Sequence, residues 1–147
     1  MTASNLSMIK VQSVSWLSYQ KELIDIRTKV FIEEQSCPPE VEWDEFDKTC
    51  KHFIAYQNGI VLGCGRLMQS GQIGRMAVYK HARGSGVGGE ILSTIIRYCQ
   101  ANDIEDIKLN AQTYAIGFYQ RYGFEAYGDI YIEAGIPHQP MRLKNTS

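Results

Sequence analysis

A run of glycines directly before an amphipathic helix is the feature that most constrains how this chain can fold. Residues 84–89 read Gly-Ser-Gly-Val-Gly-Gly. Glycine loses more backbone entropy on ordering than any other residue, so this cluster indicates backbone that takes positive φ or approaches another molecule closely. The residues that follow have the spacing of one buried helical face: Ile91, Leu92, Ile95, Ile96 and Cys99. The pattern therefore predicts a glycine turn that opens a helix.

This turn has the properties of a phosphate site. The first turn of a helix has unpaired N–H groups and carries the positive end of the helix dipole, so bare backbone there attracts anions. Arg83 adds a positive charge beside it. A strand-to-helix connection that binds nothing is the weaker interpretation, because one or two glycines would suffice for it.

A dinucleotide is one possible ligand. Residues 84–89 match the pattern G-x-G-x-x-G, and Glu105 or Asp106 lies about twenty residues on, where a ribose-binding acid belongs. In the dinucleotide fold the strand runs directly into the first glycine. Here the polar residues 79–83 lie between the apolar segment and Gly84. A P-loop is excluded, since no Gly-Lys-Ser/Thr follows the glycines.

A different family accounts for more of the chain. Arg83-x-x-Gly86-x-Gly88, after a strand and at the start of a long helix, resembles the R/Q-x-x-G-x-G/A acyl-CoA signature of the GNAT N-acetyltransferase superfamily. Residues 115–124 resemble its second signature, a short helix that carries Phe-Tyr and ends in Gly-Phe. Residues 27–38 and 135–141, the latter reading Gly-Ile-Pro-His-Gln-Pro-Met, resemble the ElaA-like group of that superfamily.

Length and composition predict one domain that spans residues 1–147. The chain is 44% hydrophobic, which is enough to bury a full core. Its net charge of −1 gives no general attraction to nucleic acid or membranes. The N-terminus has no basic run or long apolar segment, and no stretch is long enough to span a bilayer. Four scattered cysteines without C-x-x-C spacing argue against disulfide and metal frameworks, so we expect a cytoplasmic protein without a metal.

Periodicity predicts an α/β order of elements. Asn58-Gly59 marks a hairpin, Gly74 indicates a bulge, Gly123 is placed to cap a helix, and residues 133–138 form the last turn. The predicted strands are residues 9–14, 52–57, 60–68, 72–78, 106–110, 126–132 and 139–144. The predicted helices are residues 18–31, 90–99 and 114–122.

The resemblance implies a GNAT fold that binds acetyl-CoA. In that fold a mixed, mostly antiparallel sheet has two central parallel strands that splay apart, helices flank it, and the pantetheine arm enters the gap. The implied cofactor residues are Met76, Ala77 and Val78 along the pantetheine, Arg83, Gly84, Ser85, Gly86, Val87, Gly88 and Gly89 at the phosphates, Asn110 and Tyr114 at the opening, and Tyr119.

Two residues are candidates for proton transfer. The cofactor supplies the activated acyl group, so acyl transfer to an amine requires positioning and proton transfer but no nucleophilic side chain. Tyr119 matches the tyrosine of the family's Phe-Tyr and is the candidate acid for the leaving sulfur; the alternative is a core tyrosine. His138 is the candidate base, with a histidine satisfied within its turn as the alternative.

The acceptor side is expected around the first helix and the acidic loop after it. Arg27, Phe31 and Glu34 lie on one face if the helix reaches that far, and Glu42 and Asp44 follow in the loop. The resemblance makes these five residues candidates for contact with the acceptor. The abundance of carboxylates weakly favours a cationic acceptor. A solvated loop with Arg27 in a structural ion pair is the alternative.

These observations predict an N-acetyltransferase that transfers the acetyl group of acetyl-CoA directly to a primary amine of a small molecule or peptide. One alternative is a non-catalytic acyl-CoA-binding or regulatory module. Another is an acyl-homoserine-lactone synthase, which residues 27–31, Trp43, Asp44 and Asp47 also resemble, although those chains are typically longer and lack the glycine motif. Family members often pair, so a homodimer is also expected as an option.

Overall fold

Eight strands form one mixed sheet in the computed structural model, which describes residues 8–143. The strands are β1 (Lys10–Val14), β2 (Lys51–Gln57), β3 (Ile60–Leu67), β4 (Gln72–Val78), β5 (Lys108–Gln112), β6 (Phe124–Ala126), β7 (Tyr131–Glu133) and β8 (Ile136–Leu143). They lie in the order β1-β2-β3-β4-β5-β8-β6, and β7 pairs with the other end of β8. Only the central strands β4 and β5 run parallel. This is the predicted mixed, mostly antiparallel α/β sheet.

Helices cover both faces of the sheet. They are α1 (Trp16–Arg27), which continues as a π-helix over Thr28–Glu34, α2 (Pro39–Glu42), α3 (Val87–Ala101) and α4 (Ile116–Gln120). Short 3₁₀ turns lie at Glu45–Lys48, Lys80–Ala82 and Thr113–Ala115. None of the helices within residues 8–143 is long and apolar enough to cross a membrane.

The long helix α3 packs closely against one face of the sheet. Its fully buried side chains include Ile91, Leu92 and Ile95, as the apolar spacing predicts. Glycines in β3 allow this approach, since a Cβ on Gly63 or Gly65 would lie about 3.0 Å from Ile91 atoms. On the opposite face, α1 packs through a second apolar cluster. The helix that begins with the glycine turn is therefore held rigidly by the sheet.

The bulge in β4 sets where the two central strands part. Two residues of β4, Arg75 and Met76, lie opposite one residue of β3. The residue with positive φ is Arg75, at 49°, directly after Gly74, which indicated the bulge. A bulge bends its strand, and the pairing of β4 with β5 ends at Ile73, just before the bulge. The splayed gap implied by the resemblance begins at this point.

The last hairpin differs from the prediction. The turn predicted over 133–138 is only Ala134-Gly135, with φ values of 52° and 76°, which are typical of a two-residue hairpin. Pro137 and Pro140 both lie inside β8. On one edge of β8, β5 pairs with residues 138–142, so its pairing ends before Pro137. On the other edge, β7 pairs with residues 136–138 and β6 with residues 141–143, so Pro140 lies between them. Each proline thus has one edge on which no described strand pairs with it, and the missing N–H is tolerated there. His138 therefore lies in a strand.

Candidate active site

The glycine turn has the geometry of an anion site. Gly84 and Gly86 take φ values of 84° and 90°, which a side chain would strain, and Gly86 is the residue that precedes α3. Within residues 8–143, none of the backbone amides from 84 to 89 has a hydrogen-bond acceptor. Free amides at a helix N-terminus, next to the guanidinium of Arg83, match the needs of a pyrophosphate. The residues present therefore fit the phosphates of an acyl-CoA.

Two members of the turn have a structural role that the sequence does not reveal. The Val87 side chain is buried in the core beneath α3. A Cβ on Gly89 would lie 2.1 Å from the Tyr122 hydroxyl oxygen, so this glycine is needed for packing near α4. These packing roles leave only the backbone amides of Val87 and Gly89 for the predicted contact with the cofactor.

Arg83 has an intramolecular partner. Its guanidinium donates to both carboxylate oxygens of Glu34, at 2.5 and 3.2 Å, and its Nε donates to the Val78 carbonyl at 3.0 Å. Glu34, at the end of the π-helix, thus lies beside the phosphate turn, although the sequence suggested an acceptor contact for it. The Val78 carbonyl is also occupied.

A cavity of about 370 Å³ opens where β4 and β5 diverge. Its walls come from the π-helix, from β3, β4 and β5, and from the β7–β8 hairpin. Tyr114, 79% exposed, lies at its edge. The predicted residues that line it are Phe31, Glu42, Met76, Asn110, Tyr114, Tyr119 and His138.

Tyr119 presents a protonated hydroxyl to this cavity. Its ring packs edge-on against Phe118 and Phe124, at centroid distances of 5.1 and 6.1 Å. Burial raises the pKa of Tyr119 to about 12. The hydroxyl forms no hydrogen bond to any residue between 8 and 143. A proton transfer from this group to a thiolate of pKa about 8.5 is uphill by about 5 kcal/mol in the free protein, a cost that an organised site can lower.

His138 presents a lone pair. Its Nδ1 lies 2.7 Å from the Ile136 carbonyl oxygen, and because a carbonyl only accepts, Nδ1 carries the proton. Nε2 is then the basic nitrogen. The ring stacks on Tyr131 at 5.6 Å, and the residue lies opposite Gln112 of β5. Strand position and stacking hold the imidazole at the cavity wall, where it can accept a proton.

The family follows from comparison with known proteins. A model of the acetyltransferase (GNAT) domain matches residues 17–145. The chain belongs to the GNAT superfamily. ElaA of Escherichia coli is 30% identical over 127 residues, with 81% of this chain and 83% of ElaA covered. The GNAT assignment and the predicted resemblance to ElaA are thereby confirmed.

Other GNAT proteins are similar to this chain in sequence and in structure. The uncharacterized N-acetyltransferase YjcF of Bacillus subtilis is 33% identical over 125 residues, covering 82% of this chain and 89% of YjcF. Crystal structures of E. coli ElaA and of an acyl-CoA N-acyltransferase from Pseudomonas aeruginosa each superpose with a TM-score of 0.84 at 29% identity. Each covers 93% of this chain and all of its own. The GNAT fold is confirmed over nearly the whole length.

In this GNAT domain, Arg27 belongs to a buried ion-pair cluster and makes no acceptor contact. The side chain is fully buried. It donates to Glu42 at 2.7 Å and to Asp47 at 2.8 Å, and its guanidinium carbon lies 5.6 Å from the Trp16 ring centre and 4.8 Å from that of Trp43. The expectation that Arg27 touches the acceptor is wrong, because neighbouring side chains enclose it completely.

Asp44 and Asp47 of the loop are paired as well. Asp44 accepts from Arg66 at 2.8 Å and from Arg75 at 3.1 Å, and Asp47 accepts from Arg66 at 3.0 Å. Glu42 also lies 3.3 Å from Arg75. Asp44 is therefore part of the support behind the cavity and does not line it. Glu42, Asp44 and Asp47 therefore give no support to a cationic acceptor, since arginines neutralise these three.

Burial and pairing act oppositely on the pKa values in this cluster. Burial alone would raise the pKa of Asp47, but hydrogen bonds and charges from Arg27 and Arg66 outweigh it and lower that pKa. For Glu42, burial dominates over its arginine partners and raises the pKa. Burial also lowers the pKa of His52, whose Nε2 donates to the Asp47 carbonyl at 2.8 Å. The cluster depends on an ionised Asp47 and a neutral His52.

Sequence reasoning missed several residues of the cavity wall, among them Arg66, Arg75 and Gln35. Arg66 had a signal, because an arginine within an otherwise apolar or glycine-rich strand indicates a buried charge with a role. No sequence signal pointed to Arg75, because the face to which its side chain projects depends on the bulge. Gln35 accepts from Gln112 at 2.9 Å and so ties the π-helical wall to β5.

Proposed function

We propose that this protein is an acetyl-CoA-dependent N-acetyltransferase that transfers the acetyl group directly to a primary amine. The observation that carries the proposal is one continuous arrangement. A phosphate-binding turn leads to a gap between parallel strands, and that gap opens into a cavity with a proton donor, Tyr119, and a proton acceptor, His138. The acceptor is a small molecule or a peptide N-terminus, and the reaction takes place in the cytoplasm.

The turn and β4 would hold the cofactor. The free amides from 84 to 89, with Arg83, would bind the pyrophosphate. Beyond Ile73 no described strand pairs with the edge of β4 that faces β5, so the backbone at 76–78 would run beside the pantetheine. Asn110 and Tyr114 would flank the opening.

Two side chains would move the protons. When bound, acetyl-CoA supplies the activated carbonyl carbon. Nε2 of His138 would take the proton that the amine loses as the C–N bond forms. The Tyr119 hydroxyl would donate a proton to the sulfur as the C–S bond breaks. Its raised pKa keeps the hydroxyl protonated at neutral pH.

Thermal shift with acetyl-CoA, CoA, NAD, NADP and S-adenosylmethionine in parallel tests the cofactor. A ligand that binds only the folded state raises the apparent stability by about 2.7 kcal/mol at a hundred times its Kd. We expect stabilisation by acetyl-CoA and CoA alone. Stabilisation by NAD alone would refute the proposal, and stabilisation by S-adenosylmethionine would favour the lactone-synthase alternative.

A thiol-release assay with a panel of amines tests the catalysis. We expect free CoA to appear at a rate that depends on the amine concentration. Stabilisation by acetyl-CoA without release of CoA for any amine would instead identify a non-catalytic acyl-CoA-binding module.

A further inference from the structure

Neither the backbone conformation nor the packing requires a glycine at position 74. Its φ lies outside the left-handed region, and a Cβ there would have no atom within 4 Å. It lies in β4 directly opposite Arg66 of β3. Paired residues of antiparallel strands project to the same face, so the absent side chain leaves open space beside Arg66. Both residues line the cavity.

Within the described part of the chain, two nitrogen atoms of the Arg66 guanidinium group are unused hydrogen-bond donors. The residue is only 4% exposed. Its Nη1 is used by Asp44 and Asp47, whereas neither Nε nor Nη2 donates to any residue within 8–143, and Nε is buried. Buried polar groups without a partner are rare in native proteins. Nε and Nη2 together form one edge of the guanidinium fork, the geometry that binds a carboxylate through two hydrogen bonds.

The charges of this wall are balanced within the chain. Arg75, next to Gly74, lines the same cavity with its side chain 25% exposed, but it is paired with Glu42 and Asp44. The carboxylates of the cluster are engaged by guanidinium groups and do not form an open site for a cation. His138 lies on a different wall, formed by β8. One end of the cavity therefore offers the two remaining donors of Arg66, and another offers a base.

We infer that the acceptor is a small amine that also carries a carboxylate, such as an amino acid whose reacting amine is at the end of its side chain, with its carboxylate bound by Arg66 in the space that Gly74 leaves open and its amine facing His138. This inference rests on the proposed function. The acetyl C–S bond breaks and a C–N bond forms; one amine proton goes to His138, the sulfur takes the proton of Tyr119, and the products are an N-acetyl amino acid and CoA.

The test compares matched amines on the full chain. Each amino acid of a panel is assayed beside its carboxamide and its decarboxylated amine, by thiol release at saturating acetyl-CoA. We expect the KM of the amino acid to be lower by about tenfold or more, because the two analogues lack the charge-assisted hydrogen bonds.

Gly74→Val probes the same site with little risk to the fold, since the added atoms meet open space. It should raise the KM of the amino acid by about tenfold and leave the KM of acetyl-CoA and the melting temperature unchanged. Arg66→Lys, which keeps the charge but loses the fork, should act in the same direction. Arg97→Lys, at an exposed position of α3, is the matched control without effect.

The outcomes are distinct. Equal or better turnover of carboxamides and decarboxylated amines by the wild type overturns the inference, as does an unchanged KM in Gly74→Val. Absence of turnover with every amine also overturns it. In that case, stabilisation by acetyl-CoA in the same preparation shows that the cofactor site of the proposed function stands, and absence of stabilisation shows that the proposed function fails too.

Discussion

The ion pair between Glu34 and Arg83 makes a sharp prediction about cofactor affinity. If Arg83 binds the pyrophosphate, its guanidinium must first leave Glu34, so the pair competes with the cofactor. Glu34→Gln should therefore tighten CoA binding. The side chains of Arg83 and Glu34 are 45% and 31% exposed, respectively. Exposed ion pairs contribute about 0.2–1 kcal/mol. This corresponds to a dissociation constant lower by about 1.5- to 5-fold.

Calorimetric titration with CoA measures the effect, with Glu33→Gln as the matched control on the same exposed segment. Arg83→Gln should weaken CoA by about tenfold or more, because it removes charge-assisted hydrogen bonds. In the Arg83→Gln background, Glu34→Gln should have no further effect. The gain should also shrink at high salt. A Glu34→Gln variant that binds CoA no better than wild type, or a gain that persists without Arg83, would refute the reasoning.

Three further predictions follow from the buried cluster and the cavity. Arg27→Ala should lower the unfolding free energy in urea by about 3–5 kcal/mol, because it leaves buried carboxylates without their partner; a loss below 1 kcal/mol contradicts the cluster. Burial lowers the pKa of His52, so the folded state favours the neutral ring, and stability present above pH of about 6.5 should be lost as pH falls below it. The stability difference between pH 7.5 and 5.5 should therefore shrink in His52→Gln, and an unchanged difference counts against this account. Tyr119→Phe should lower kcat with little change in the Kd of acetyl-CoA, and wild-type turnover would remove Tyr119 from the mechanism.

Local signals in the sequence were sufficient for the cofactor half of the site. The glycine turn, the apolar face of α3 and the Asn58-Gly59 hairpin each depend on residues close in the chain, and the structure contains all three. The strand predicted over 72–78 coincides with β4. Short-range conformational preferences determine these elements, so a sequence pattern reveals them.

The acceptor half depends on contacts between distant residues. Arg27 meets Asp47 twenty positions later, and no periodicity indicates that pairing. The acidic loop therefore suggested a cationic ligand, although its carboxylates neutralise arginines of the same chain. The bulge that Gly74 indicated is present, but the two residues that form it, Arg75 and Met76, are set by how two strands align.

The extra residue in β4 has a consequence for how this protein tolerates change. Side chains alternate along a strand, but the bulge absorbs the extra residue, because Gly74 lies opposite Arg66 and Ala77 lies opposite Cys64 on the same face. The length of the segment from 74 to 76 thus determines the bend at which the central strands part. Point substitutions there alter one contact at a time. Deletion of a single residue would remove the bulge and leave a regular ladder with β3, so the bend that separates the central strands depends on the number of residues in this segment.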